Sequence, residues 1–326
     1  MCTVLAELGK YEEAINCYDE IIDKLDPKYV TAWYNKGTAL SVLGKYEGAI
    51  NCYNEIVTKL DPTFVEAWLK KGTTLGKLGK HEEQINCYDQ IITKLDPKHV
   101  DAWYNKGTAL GKLSKYEEAI NCYDEIIDKL DPKHVDAWFF KGLVLGVLGQ
   151  YEGAIQCYDV IITKLDPKYV DAWNNKGLAL GNLGRHEEAI NCYDVIITKL
   201  DPKYVDAWNN KGLALGNLGR HEEAINCYDE IITKLDPKYV DAWNNKGWAL
   251  DKLRRYQEAI ECYDKALEID SNYKDVLDSK GYTLINLGRY EEAIEYFNKA
   301  LSIDPDYVDA IEHKNIAEEK LRNRDK

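Results

Sequence analysis

One interval governs this chain. Tryptophans stand at Trp33, Trp68, Trp103, Trp138, Trp173, Trp208 and Trp243, each 35 residues after the last. Asp-Pro pairs keep the same step from Asp26-Pro27 to Asp236-Pro237, and the step then shortens by one to reach Asp270 and Asp304-Pro305. The stretch DAWNNKGLALGNLGRHEEAINCYD at 171–194 returns unchanged at 206–229. A fixed period of this size predicts a stack of one supersecondary unit, because a single copy cannot bury its own apolar face.

The unit reads as two helices. Asp-Pro predicts an N-cap and a first-turn proline for the first helix, where a missing N–H costs nothing. Trp173, Leu180 and Leu183 recur at helical spacing with Gly177 on their side, which predicts buried tryptophans. Gly184 supplies a left-handed stop. The second helix carries Ala189, Ile190, Tyr193, Ile196, Ile197 and Leu200 at steps of three and four, with Lys199 in its last turn. No alternating β-branched run is present. The chain is expected to be all-α.

Trp173, Gly177, Ala189, Tyr193 and Pro202, with equivalents through seven tryptophan-bearing repeats and an eighth in which Leu277 replaces Trp, make the unit resemble the tetratricopeptide repeat, over essentially the whole chain. It departs at Lys176 and Leu180, where that family prefers Leu and Tyr. One extra residue gives 35 in place of 34, and it is placed in the turn before proline. The resemblance implies a right-handed superhelical solenoid. The expected organisation is one array over 1–326: a truncated first repeat at 1–28, eight repeats at 29–306, and a capping helix at 307–326 with Ile311 and Leu321 on its apolar stripe. The N-terminal end lacks such a cap. That leaves open self-association through it, a regulatory or targeting region of a larger enzyme, and an engineered or recently duplicated array.

The chain is 45% hydrophobic and 30% charged, with net charge −14. Acidic balance argues against nucleic acid, whose phosphates need clustered Lys and Arg, and against an anionic membrane surface. No stretch reads as a bilayer span or a signal peptide, and nine cysteines without an export signal point to the cytoplasm.

The residues that look like chemistry do not assemble into a catalytic site. Eight cysteines, Cys17 through Cys262, occur once per repeat and lack the paired spacing of a zinc site. Equivalent positions in neighbouring repeats lie roughly 8–10 Å apart, beyond the ~7 Å limit of a disulfide, so no disulfide is expected. Cys2 falls where other repeats have Gly37 or Gly72. His81, His186 and His221 precede Glu-Glu, but Ile85, Ile190 and Ile225 replace the second His of a zinc-protease motif. They read as packing, as do His99 and His134. The expectation is no enzyme, no metal and no cofactor.

The wheel puts Asp171, Asn174, Asn175, Leu178, Gly181 and Asn182 about 180° from Trp173 and Leu180. In tetratricopeptide arrays, the resemblance implies, these first-helix positions line a concave groove for an extended peptide or partner helix. Amides recur there, and the asparagines are similar to the ladder of O-GlcNAc transferases. Apolar residues interrupt the polar face. The candidate groove comprises Phe139, Phe140, Leu143, Asn174, Asn175, Leu178, Asn209, Asn210, Leu213, Asn244, Asn245 and Trp248, and the expected partner is a protein or peptide. Acids at the second position of the unit, from Glu66 to Asp275, sit in first turns where the helix dipole favours them. They disfavour the carboxylate clamp known in this family.

Overall fold

The computed structural model describes residues 1–324. They form nineteen α-helices and no strand, divided into two compact units that meet between Asp166 and Pro167. Each unit is a run of helix hairpins. In the first unit the opening helices of successive hairpins are Cys2–Glu7, Val30–Val42, Val65–Lys77, Val100–Lys112 and Val135–Val147. In the second they are Val170–Asn182, Val205–Asn217, Val240–Lys252 and Lys274–Asn286, with Val308–Arg324 last.

Asp-Pro does not cap the first helix. Asp201 Oδ1 accepts the Lys203 N–H at 2.9 Å, closing a turn through its own side chain. The helix begins only at Val205, behind Tyr204 in extended geometry. Where His replaces that tyrosine the side chain does cap, His99 Nδ1 accepting from Ala102 N at 3.2 Å and His134 Nδ1 from Ala137 N at 3.1 Å. The proline's carbonyl has a further use. Trp208 Nε1 donates to Pro202 O at 3.0 Å, and Trp33, Trp68, Trp103, Trp138, Trp173 and Trp243 repeat the bond to the proline six residues back. An indole must bring its N–H to a partner, and this partner lies at the surface. The tryptophans are therefore half-buried, not buried as their spacing suggested.

The lysine that replaces the family's leucine completes that site. Lys176, Lys211 and Lys246 lie over the rings of Trp173, Trp208 and Trp243 at 5.8 to 5.9 Å. Lys211 and Lys246 also reach Asp194 and Asp229 of the preceding repeat at 2.6 Å. In the first unit Lys106 pairs with Asp89 at 2.6 Å and Lys141 with Asp124 at 2.5 Å. Half-exposed pairs of this kind contribute about 0–1 kcal/mol each, so they align neighbouring repeats more than they stabilise them.

Gly184, at φ +75°, ends the first helix: Arg185 N donates to Leu180 O and Gly184 N to Gly181 O, both at 2.9 Å. The core then forms between the two helices. Tyr193, Ile196 and Ala189 are buried, and the Tyr193 ring lies on Gly177. The thirty-fifth residue is not in the turn. The second helix runs as ten α-residues, His186–Val195, then a five-residue π-turn, Ile196–Leu200, closed by Asp201 N donating to Ile196 O at 2.8 Å. Where the interval is 34, Tyr256–Ile269 and Tyr290–Ile303 stay α-helical to the end. The extra residue is thus absorbed as one widened turn.

Val308–Arg324 packs through Ala310 and Ala317 against Phe297 and Leu284. Ile311 is exposed, because the alanines allow the closer approach and take the inner face. Residues 325–326 of the expected cap lie outside the described residues.

The first hairpin holds a correction: Cys2 and Cys17 form a disulfide, Cα atoms 5.5 Å apart. In the next repeat the same two positions are Gly37 and Cys52, and a Cβ on Gly37 would lie 3.2 Å from Cys52 Cβ. The relevant neighbour was inside the repeat, fifteen residues on, not in the next repeat. A cysteine at the glycine register therefore meets its partner at bonding range.

Two outcomes are expected. Gly177→Ala sets a Cβ 2.6 Å from the buried Tyr193 ring and costs about 1–3 kcal/mol, more than the ~1 kcal/mol gained in helix propensity. Gly181→Ala, with nothing within 4 Å of its Cβ, gains about 0.5–1 kcal/mol. Urea midpoints moving the same way for both would refute the packing account. Thiol titration of the unreduced chain in denaturant is expected to find seven thiols, rising to nine on reduction. Nine in the unreduced sample overturns the disulfide.

Candidate functional site

The twelve groove positions divide by unit. In the first, Phe139 is buried against Tyr158 with ring centres 6.0 Å apart, and meets Phe140 edge-on at 5.7 Å. Phe140 packs on Tyr104 at 5.7 Å and belongs to the hydrophobic cluster around Leu110 and Tyr123. Leu143 is half-buried. The two phenylalanines fill the space between helices.

In the second unit the asparagines bond to one another across repeats. Asn210 Nδ2 donates to Asn174 Oδ1 at 3.1 Å, and Asn245 Nδ2 to Asn209 Oδ1 at 3.0 Å. Asn174 and Asn209 are buried by this arrangement. Asn175 turns to its own helix, donating to Asp171 O at 2.8 Å. The amides thus form rungs between first helices. At the next rung Ser279 stands where the donor asparagine would be, and Asn244 Oδ1 is buried with no hydrogen-bond partner. One rung further the pair is a histidine and a carboxylate: His313 Nδ1 lies 2.9 Å from Asp278 Oδ1. The hydrogen bond to Asp278 raises the His313 pKa, against the opposing pull of burial.

Beside the rungs runs a column of exposed apolar side chains. Leu178, Leu213 and Trp248 are 40%, 41% and 39% exposed, and Tyr282 and Ile316 continue the register at 37% and 41%. Tyr282 and Ile316 escaped the sequence reading, although each follows its predecessor by the shortened interval of 34. In the first unit the same register holds Thr38, Thr73 and Thr108, whose hydroxyls bond back to their own helices, and then the half-buried Leu143.

Trp248 and Tyr282 wall a cleft of about 350 Å³ that is also lined by Ser279, His313 and the buried Asp251 and Asp278. Asp251 replaces the helix-interior glycine of earlier repeats (Gly181, Gly216) and accepts from Thr283 Oγ1 at 2.8 Å and Asn286 Nδ2 at 3.2 Å. Gly216 serves a different end, receiving the edge of Trp248, whose Cζ3 would lie 3.2 Å from a Cβ there. His221 meets the Trp248 ring edge-on at 5.7 Å.

The cysteines offer no nucleophile. Burial pushes the thiols of Cys52 and Cys262 up to about 11 and that of Cys122 to about 12, so the thiolate is scarce at neutral pH. Among the described residues no group of three His, Cys, Asp or Glu is placed to hold a metal, and no helix is long and apolar enough to cross a membrane.

The broken rung makes a test. Ser279→Asn supplies the missing donor to Asn244 and is expected to raise stability by about 0.5–1.5 kcal/mol, while Ser279→Ala changes little. If thermal melts rank the serine and asparagine forms equally, the rungs do not hold the helices together.

Tetratricopeptide repeat models match residues 30–63, 65–99, 104–170, 158–191, 205–238, 240–273 and 275–307, and a TPR repeat model matches 4–41. No curated protein matches the chain. Among solved structures, the chain is similar to the APC/C hetero-tetramer Cut9-Hcn1 at 18% identity and TM-score 0.55, covering 94% of this chain and 58% of that one. It is also similar to a tetratricopeptide repeat protein from Parabacteroides merdae ATCC 43184 at 18% identity and TM-score 0.58, covering 78% of this chain and 98% of that one. Repeats matched along nearly the whole length, in hairpins of the expected construction, identify the chain as a member of the tetratricopeptide repeat family.

Proposed function

We propose that this chain is a non-catalytic scaffold that binds a peptide or partner helix along the first-helix face of its second unit. Tetratricopeptide repeats are generally protein–protein interaction scaffolds. The observation that carries the reading is the column from Leu178 to Ile316: five apolar side chains left exposed at a single register. Leu178, Leu213 and Trp248 supply anchors, and the polar groups of Asn175, Asn210, Asn244 and Asn245 stand beside them. Phe139, Phe140 and Leu143 support the first unit's helices, and their truncation reads out as stability.

The test is selection of displayed peptides on the full chain, followed by binding to Trp248→Ala and Leu213→Ala. Truncating an aromatic anchor costs about 2 kcal/mol or more, so the selected peptides are expected to lose roughly thirtyfold in affinity. Trp248 also packs on Gly216 and His221, so its variant is expected to melt somewhat lower while staying folded at the temperature of the binding assay. Selected peptides that bind both variants as tightly as the parent would falsify the reading.

A further inference from the structure

The apolar column has a second row beside it. Asp171, Asp206, Asp241, Asp275 and Asp309 each stand seven residues before Leu178, Leu213, Trp248, Tyr282 and Ile316. Seven residues is two helical turns, about 10.5 Å along the axis and only ~20° around it. Every first helix of the second unit therefore presents a carboxylate and an apolar side chain on one face, in register from repeat to repeat. The first unit carries the pattern only at its last opening helix, where Asp136 stands seven residues before the half-buried Leu143; its other counterparts pair Thr31 with Thr38, Glu66 with Thr73 and Asp101 with Thr108.

The carboxylates are held in place by neutral donors. Tyr204 Oη donates to Asp171 Oδ1 at 3.1 Å, Tyr239 Oη to Asp206 Oδ1 at 3.4 Å and Tyr273 Oη to Asp241 Oδ1 at 2.5 Å. Tyr307 hydrogen-bonds Asp275 in the same way. A phenol orients a carboxylate without cancelling its charge, and each carboxylate has about four acceptor sites. The cations nearby are engaged: Lys274 reaches Asp304 at 2.5 Å, and Lys252 lies over the Trp248 ring at 5.0 Å. Asp251 adds a further carboxylate with neutral partners to the cleft between Trp248 and Tyr282.

Resting on the groove reading above, we infer that the second unit's first-helix face selects a cationic, apolar-studded segment of a partner protein. Its Leu- or Phe-like side chains seat between Leu178 and Ile316, and its Lys or Arg side chains meet the aspartate row about 10 Å away. Complementary charge of this kind chooses the partner and speeds encounter, while the apolar anchors hold it.

Three fluorescein-labelled probes test this on the full chain: an amphipathic peptide of leucine, alanine and lysine, and its twins with glutamate or serine in place of lysine. The lysine peptide is expected to bind at least about tenfold tighter than the glutamate twin, with affinity falling as NaCl is raised. In Asp206→Asn/Asp241→Asn/Asp275→Asn the amide oxygen still accepts the tyrosine hydroxyl but the charge is gone, and the preference for lysine should collapse. Should the triple variant melt early, Asp206→Asn alone, at the long 3.4 Å tyrosine bond, is expected to reduce the preference in the same direction. Retention of the full preference by a folded variant, or equal binding of lysine and glutamate peptides to the parent, overturns the charge selection. The serine twin separates the two readings: if Trp248→Ala weakens it as well, the groove stands whatever becomes of the aspartates. If none of the three peptides binds the parent, both readings fail.

Discussion

The fold of each repeat depends on a ring laid against a glycine. Tyr193 sits so close to Gly177 that a single added carbon would meet the ring at 2.6 Å, and the same contact recurs at Gly37, Gly72, Gly107, Gly142, Gly212 and Gly247. At Gly281 the ring is Phe297. A buried aromatic contributes about 1.5–3 kcal/mol relative to an exposed one, and only a glycine lets it lie directly on the facing helix. The hairpin's close approach, and so the burial of the alanines and isoleucines around it, follows from that contact. Cys2 shows how tight the arrangement is: a side chain at the glycine register of the first hairpin is close enough to bond covalently to Cys17.

Because that contact is repeated almost unchanged, the scaffold leaves other registers to vary, and variation is where binding chemistry can reside. The rung positions change from Asn–Asn to Asn244–Ser279 to Asp278–His313 along the second unit. The column register holds threonine three times and then Leu143 in the first unit, and leucine, tryptophan, tyrosine and isoleucine in the second. The ring-on-glycine contact survives each replacement, although the threonine of the first unit also bonds the ring's hydroxyl, as Thr38 does Tyr53 at 3.3 Å, and leucine gives that bond up.

Several expectations failed for a common reason: the register was right and the environment was not. Asp-Pro does mark the start of each repeat, but the aspartate closes a turn three residues before the helix cap. The tryptophans do lie on the inner side of the wheel, but the indole N–H draws them to the proline carbonyl at the surface. Asn174 and Asn209 do project from the face opposite Trp173 and Trp208, yet the neighbouring helix covers them. Phe140 points away from its own hairpin's tryptophan and into the preceding repeat's Tyr104. A helical wheel knows one helix; in a stacked array each face is also addressed by the helix before and the helix after.

What the sequence determined by itself was the unit: its length, its two helices, the glycine stop and the family, all readable because period and local preference agree at every copy. Even the one-residue difference between the 35- and 34-residue intervals was legible as a count. Where that residue goes was decided by tertiary structure, since a π-turn keeps Ile196 and Ile197 buried while lengthening the helix by one position. Tertiary structure also decided which face residues remain accessible. Side chains near the helix centre reach the next repeat and are consumed in rungs, whereas those seven residues beyond the first-turn aspartate project past their neighbours and stay open.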